Sequence, residues 1–176
     1  MTTETQRNVV AADVEEVRKL IEEAPIGQYI GAEGAKLFAE RAKGIINLDD
    51  GDYLFRAGET TDSFFIVRSG CLARIKERAP SQRPKIIHTL HQGDMVGELS
   101  FIDQTHHSLS VIALGTASVV QFTAEDIFPM LEEHPKLMFN FMRAIIKRVH
   151  HTVADISQQE NALLEYIQSG GKGRAV

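Results

Sequence analysis

Between Ile45 and Phe122, short runs rich in Val, Ile, Phe and Leu are cut by glycine turns at Gly51-Asp52, Gly58-Glu59, Ser69-Gly70, Gly93-Asp94 and Gly115-Thr116. This spacing constrains the fold more than any other feature, because it leaves strands of about 4–8 residues and little room for a long helix. About eight such strands fit, which indicates an all-β sandwich or barrel. The clearest hairpin is SFFIVRSGCLARIKER, where Ser69-Gly70 supplies the tight turn and the second arm alternates Cys71, Ala73 and Ile75 against Leu72, Arg74 and Lys76. The stretch APSQRP at 79–84 carries two prolines and reads as a surface connection.

Helical patterning flanks this region. Asp13 with Glu16 forms a candidate capping box ahead of Val14, Val17 and Ile21, and Pro25 stops that helix. A second helix is predicted from Lys36 to Lys43, with Leu37 and Phe38 facing inward and Gly44 past its end. After the strands, TAEDIFPMLEEHP begins on a Thr123 cap and ends before Pro135. The stretch 136–168 then contains neither Gly nor Pro. Met142, Val149, Ile156 and Leu163 recur at seven residues, with Met138, Ile145, Thr152, Gln159 and Tyr166 as a second row. Such a seam outlasts a small domain and predicts a homodimer; a helix lying along its own barrel is the other reading and covers the first half only. The resulting organisation is an N-terminal helical extension at 1–33, a β domain at 34–134, a long dimerisation helix at 135–168 and a flexible tail at 169–176.

Charge and composition exclude several functions. A net charge of −5, with no basic cluster beyond Lys147 and Arg148, gives no long-range attraction to nucleic acid, so no direct DNA binding is expected. The apolar runs are too short to span a membrane and MTTETQRNVV is not a secretory leader, so the expected location is cytoplasmic. The single cysteine, Cys71, rules out an intramolecular disulfide and a multi-cysteine metal site. Catalysis has no candidate residues: there is no nucleophile elbow, no Walker loop and no metal-spaced His/Glu set. His88 and His91, three apart on a strand, face opposite ways, and the pairs His106-His107 and His150-His151 read as surface histidines. Neither enzyme activity nor a metal is expected.

The chemistry concentrates in GELSFIDQTHHSLS at 97–110. Gly97 lets the backbone approach a ligand, and a helical turn opening after it would aim the N–H groups of Leu99 and Ser100 at an anion. Glu98 repels phosphate but can accept hydrogen bonds from sugar hydroxyls beside it. Alone, the tripeptide is a weak signal, and a solvated turn glutamate is the competing reading.

The order GDYLFRAGETTDSFFIVRSG, then HQGDMVGELSFIDQTHHSLSV, then a strand pair, a short helix and a long helix resembles the cyclic nucleotide-binding domain of catabolite activator proteins and of the regulatory subunits of cyclic-nucleotide-dependent kinases. The resemblance covers about residues 36–165 and takes in Gly51, Gly58, Gly70, Gly93 and Gly97. It implies a mainly β chain, a β jelly roll (double-stranded β-helix) with flanking helices followed by a long C-terminal helix, and it makes 97–108 a phosphate-binding cassette. By the same resemblance Glu98 matches a contact to the ribose 2′-hydroxyl, Leu99 and Ser100 match backbone donors to the cyclic phosphate, and Ser108 matches a small residue beside the ligand. Thr152 aligns with a threonine that reaches the purine base; a polar interruption of the heptad is the other reading. The implied ligand is cAMP or cGMP, with no further cofactor.

One position departs from the family. His107 stands where an arginine should pair with the phosphate, and a neutral histidine offers a single N–H and no fixed charge. Binding is therefore expected to be weak, or to strengthen as the pH falls and His107 is protonated. No helix-turn-helix follows the long helix, so the expected output is contact with a partner protein. Two alternatives stay open: the same fold reading another anion, or a scaffold with a vestigial pocket that acts by dimerisation.

Overall fold

The computed structural model describes residues 9–78 and 84–150. In chain order the elements are β1 (Val9–Val10), α1 (Val14–Glu23), α2 (Gly27–Glu40), β2 (Gly44–Leu48), β3 (Tyr53–Phe55), β4 (Ser63–Ser69), β5 (Leu72–Lys76), β6 (Lys85–Leu90), β7 (Met95–Val96), α3 (Glu98–Asp103), β8 (Ser110–Ala113), β9 (Ala117–Thr123), α4 (Ala124–Ile127) and α5 (Met130–Glu133). A further helix, α6, occupies 135–150, up to the last described residue. The predicted continuation of that helix to 168, with Thr152, Ile156 and Leu163, and the tail at 169–176 lie outside the described residues, as does most of the 79–84 connection.

The strands form two antiparallel sheets, one of five in the order β1-β2-β9-β4-β7 and one of four in the order β3-β8-β5-β6. Two cores follow from the period-2 alternation of β4. Phe65 and Val67 turn into the space between the sheets with Leu54, Leu72, Leu90, Val111 and Val119. Phe64 and Ile66 turn the other way, onto the helices, with Val17, Phe38, Phe122 and Phe141. Strand β4 of the five-stranded sheet is thus buried on both faces, which is why SFFIV reads as a continuous apolar run. At its outer face Phe64 stacks on Phe122 with ring centroids 4.9 Å apart and lies 5.5 Å from Phe141 of α6, so the helix layer is keyed to the sheet by aromatic contacts. Within α6, Met138 and Ile145, the predicted second heptad row, are buried in this layer.

The jelly-roll expectation holds, with differences at the edges. Nine strands are present among the described residues; the extra one, β1, pairs Val9 with Ile46 and is exposed, so it carries no alternation to read. The second helix is longer than predicted. It starts at Gly27 and contains a break at Gly31 (φ 67°, ψ −179°). At Gly34 a Cβ would come 2.5 Å from Leu137, so that glycine lets α2 lie against α6. Asp13 caps α1 through the Glu16 N–H as predicted, but the return arm of the capping box is absent: Glu16 instead accepts from Arg68 Nε at 2.7 Å, tying α1 to β4. Thr123 caps α4 by accepting from the Asp126 N–H.

Candidate functional site

The 97–108 loop leaves β7, runs through α3 and returns to β8. Gly97 sits at φ 83° and ψ −2°, a left-handed conformation that L side chains rarely adopt, and the turn it makes sets the start of α3. The first helical bond of α3 is Phe101 N–H to Gly97 C=O at 3.0 Å, which leaves the amides of Glu98, Leu99 and Ser100 without an intrahelical acceptor. Gln104, also left-handed at φ 56°, ends the turn. Asp103 accepts from the Thr105 amide and hydroxyl, and these bonds hold its carboxyl below the usual range. The far end of the loop is clasped by the β3–β4 turn: Gly58 N–H donates to His107 C=O and His107 N–H donates to Glu59 C=O, both at 2.8 Å. Ser110 closes the frame, accepting from Ala57 N–H at 2.9 Å and donating to Glu77 at 3.0 Å.

Within this frame the predicted residues have different fates. Glu98 is 4% exposed. Among the described residues no donor lies within hydrogen-bonding distance of its carboxylate; its ion-pair partner there is Arg74 Nη2 at 3.9 Å. No wholly enclosed side-chain oxygen lacks a hydrogen bond among the described residues, so the unbonded Glu98 oxygens are not wholly enclosed by them. Ser100 is buried beside it, whereas Leu99 and Ser108 are exposed.

His107 is 5% exposed, and its ring lies flat on Phe55 with centroids 3.7 Å apart. Its Nε2 meets Thr61 Oγ1 at 3.0 Å, while the same hydroxyl donates its single proton to Ser63 C=O at 3.1 Å. When Thr61 gives its proton to Ser63 it accepts from the histidine, an arrangement that puts the ring proton on Nε2 and leaves Nδ1 a bare acceptor. Burial pulls the His107 pKa down, with the Glu59 carboxylate opposing it, which favours the neutral ring. In that arrangement the one N–H of a neutral His107 is bound to Thr61.

Arg74 was not singled out in the sequence. It stands on β5 opposite Val111 of β8 and His88 of β6, and its side chain is 25% exposed. Burial lowers its pKa, Glu98 and Asp94 raise it and Arg148 of α6 lowers it further; a guanidinium stays charged through such shifts. The visible signal was an arginine inside an otherwise apolar strand, CLARI.

A groove of about 310 Å³ adjoins the loop, formed by Leu99 and Ile102 of α3 with Met142, Ile145, Ile146, Val149 and His150 of α6. Met142 and Val149, the predicted seam, are half-buried here. The more exposed apolar row on α6 is instead Phe139 and Ile146, at 67% and 56%. Among the described residues no cluster of three His, Cys, Asp or Glu side chains could hold a metal, and no helix is long and apolar enough to cross a membrane.

The fold is thus a β roll of two antiparallel sheets, with a short helix at a glycine turn and a buried glutamate at its start. The chain belongs to the cyclic nucleotide-binding domain family, whose sequence profile matches residues 45–134. It is 27% identical over 110 residues to lysophospholipase NTE1 of Phaeosphaeria nodorum, covering 62% of this chain and 7% of that protein. It is 34% identical over 65 residues to human cGMP-dependent protein kinase 2, covering 37% of this chain and 8% of that protein. The matched stretch is thus a small part of either relative. In structure it is similar to the regulatory domain of Toxoplasma gondii PKA solved with cAMP, at a TM-score of 0.65 and 23% identity, covering 78% of this chain and 50% of that one.

Proposed function

We propose that this protein is a non-catalytic sensor that binds cAMP or cGMP in the 97–108 loop and passes its occupancy through α6 to a second copy of itself or to another protein. The observation that carries the reading is Glu98: a carboxylate 4% exposed, with no hydrogen-bond donor among the described residues and an ion-pair partner, Arg74, at 3.9 Å. An ionised group in that position is costly unless something donates to it, and a ribose hydroxyl is a donor of the right kind. Family membership supports a cyclic nucleotide as the ligand class. The amides of Leu99 and Ser100 and the exposed Ser108 remain the proposed phosphate-side contacts, with Thr152 on the base side.

The groove between α3 and α6 supports the output step. A shift of Leu99 and Ile102 on ligand binding repacks Met142, Ile145 and Val149, so α6 responds to what the loop holds. In this scheme 34–134 is the binding domain and 135–168 the output and dimerisation helix, with the apolar row of Phe139 and Ile146 beside the predicted seam as its contact surface. Calorimetric titration with cAMP and cGMP tests the reading. Saturable binding is expected, and Glu98→Ala should weaken it by about 1–3 kcal/mol, the cost of leaving a buried hydroxyl unpaired. Absence of binding at millimolar nucleotide would make the vestigial scaffold the better account.

A further inference from the structure

The loop's own position for a phosphate-pairing cation holds a histidine whose Nε2 lies 3.0 Å from Thr61 Oγ1 and whose ring is stacked on Phe55. The missing fixed charge matters. Bringing a cyclic phosphate next to Glu98, which is 4% exposed, would place two negative charges where they repel far more strongly than at an exposed surface. Such a site needs a cation close to both.

We propose that Arg74, projecting from β5 to 3.9 Å from Glu98, is the cation that pairs with the ligand's cyclic phosphate, replacing from a different strand the arginine that the loop lacks. The inference rests on the cyclic nucleotide reading above and adds the residue that makes it electrostatically feasible. Three features of the geometry point to Arg74. Its guanidinium lies beyond hydrogen-bonding distance of Glu98, so the two groups neutralise each other while keeping their donors and acceptors for a third party. Its side chain is three-quarters shielded yet keeps 25% exposure, so it is neither sealed into the core nor dissolved in bulk water. The registers Arg74 to Val111 and Arg74 to His88 fix the strand beneath it, with Val111 in the core between the sheets, so the guanidinium is presented from a rigid base. A hydroxyl and a phosphate oxygen on neighbouring carbons of one ribose can then meet Glu98 and Arg74 together. The planar fork of arginine suits two phosphate oxygens at once, which a lysine would not reproduce.

The test compares four purified proteins, wild type, Arg74→Met, Arg74→Lys and Arg148→Met, by calorimetric titration with cAMP and cGMP, and adds His107→Phe as the competing assignment. Methionine keeps the apolar stem and bulk of Arg74, and a thermal melt checks that each variant is folded. Arg74→Met should lower affinity about tenfold to a hundredfold, the worth of a charge-assisted hydrogen bond, and Arg74→Lys should recover only part of it. Unchanged affinity in Arg74→Met, or a loss confined to Arg148→Met or His107→Phe, overturns the inference. Failure of the ligand reading itself is separated by a second readout on the wild type: the Arg74 side-chain Nε–Hε resonance followed during titration with inorganic phosphate. If no cyclic nucleotide binds but phosphate shifts that resonance, the anion role of Arg74 stands and the nucleotide reading falls. If phosphate leaves the resonance unmoved as well, both fall.

Discussion

Replacing His107 by phenylalanine separates what the ring does for the fold from what its proton does. Phenylalanine keeps a flat ring against Phe55, where the present centroid distance is 3.7 Å, and removes the Nε2–H bond to Thr61. At pH 7.5 the loss is that one partly buried hydrogen bond, about 0.5–1.5 kcal/mol, which corresponds to a fall in Tm of roughly 1–6 °C for a domain of this size. Acid should narrow the difference. The folded-state pKa of His107 lies below its ordinary value because burial disfavours the imidazolium. The unfolded chain therefore takes up the proton first as the pH falls, and the stability contributed by the neutral ring, fully present above about 6.5, is lost as the pH falls from there through the folded pKa. His107→Phe cannot titrate, so urea midpoints of the two proteins should converge between pH 7.5 and pH 5. A wild type that instead gains on the variant as the pH falls would mean that the ring is protonated in the folded protein, and both the tautomer deduced from Thr61 and the loss of a phosphate donor at this position would be wrong.

Other substitutions test other parts of the account. Gly97→Ala places a Cβ at φ 83° and 3.3 Å from Ser63 C=O, and should cost about 1–2 kcal/mol in urea denaturation together with ligand affinity; an unchanged midpoint would show that the turn relaxes freely. Phe64→Ala removes a ring with no exposure that contacts Phe101, Phe122 and Phe141, and should cost about 3–5 kcal/mol; a loss below 1 kcal/mol would mean the helix layer is not keyed to the sheet there. Ile146→Asp puts a charge into the exposed α6 row and should shift sedimentation from dimer to monomer, whereas a wild type already monomeric at tens of micromolar would remove the dimer proposal.

The fold was legible where local rules dominate. Turns at Gly58 and Gly70, both at positive φ, punctuate the strands because the backbone needs glycine there, and Asp13 and Thr123 cap helices through their own side chains. It was less legible where tertiary packing reverses the local meaning of a residue. Gly34 matters as a contact point for Leu137 across to α6, and β1 is recognisable only from its pairing with Ile46. The site divides in the same way. Gly97, Glu98 and Ser100 sit together in one loop and were read from it. The state of His107 depends on Phe55 and Thr61, more than forty positions upstream, with Thr61 a separation of 46 residues away. Arg74 meets Glu98 only because β5 is held by β8 and β6, and no spacing along the chain records that neighbourhood.

The central claim is that Glu98 reads a ribose hydroxyl beside a bound cyclic phosphate, and chemistry on the ligand tests it without disturbing the protein. Titration calorimetry of the wild type with cAMP and with 2′-deoxy-cAMP isolates that one hydroxyl. The account predicts that the deoxy ligand binds about tenfold to a hundredfold more weakly, because it leaves the buried carboxylate without its donor, and that the difference largely disappears in Glu98→Ala. Equal affinity for the two ligands in the wild type would contradict it.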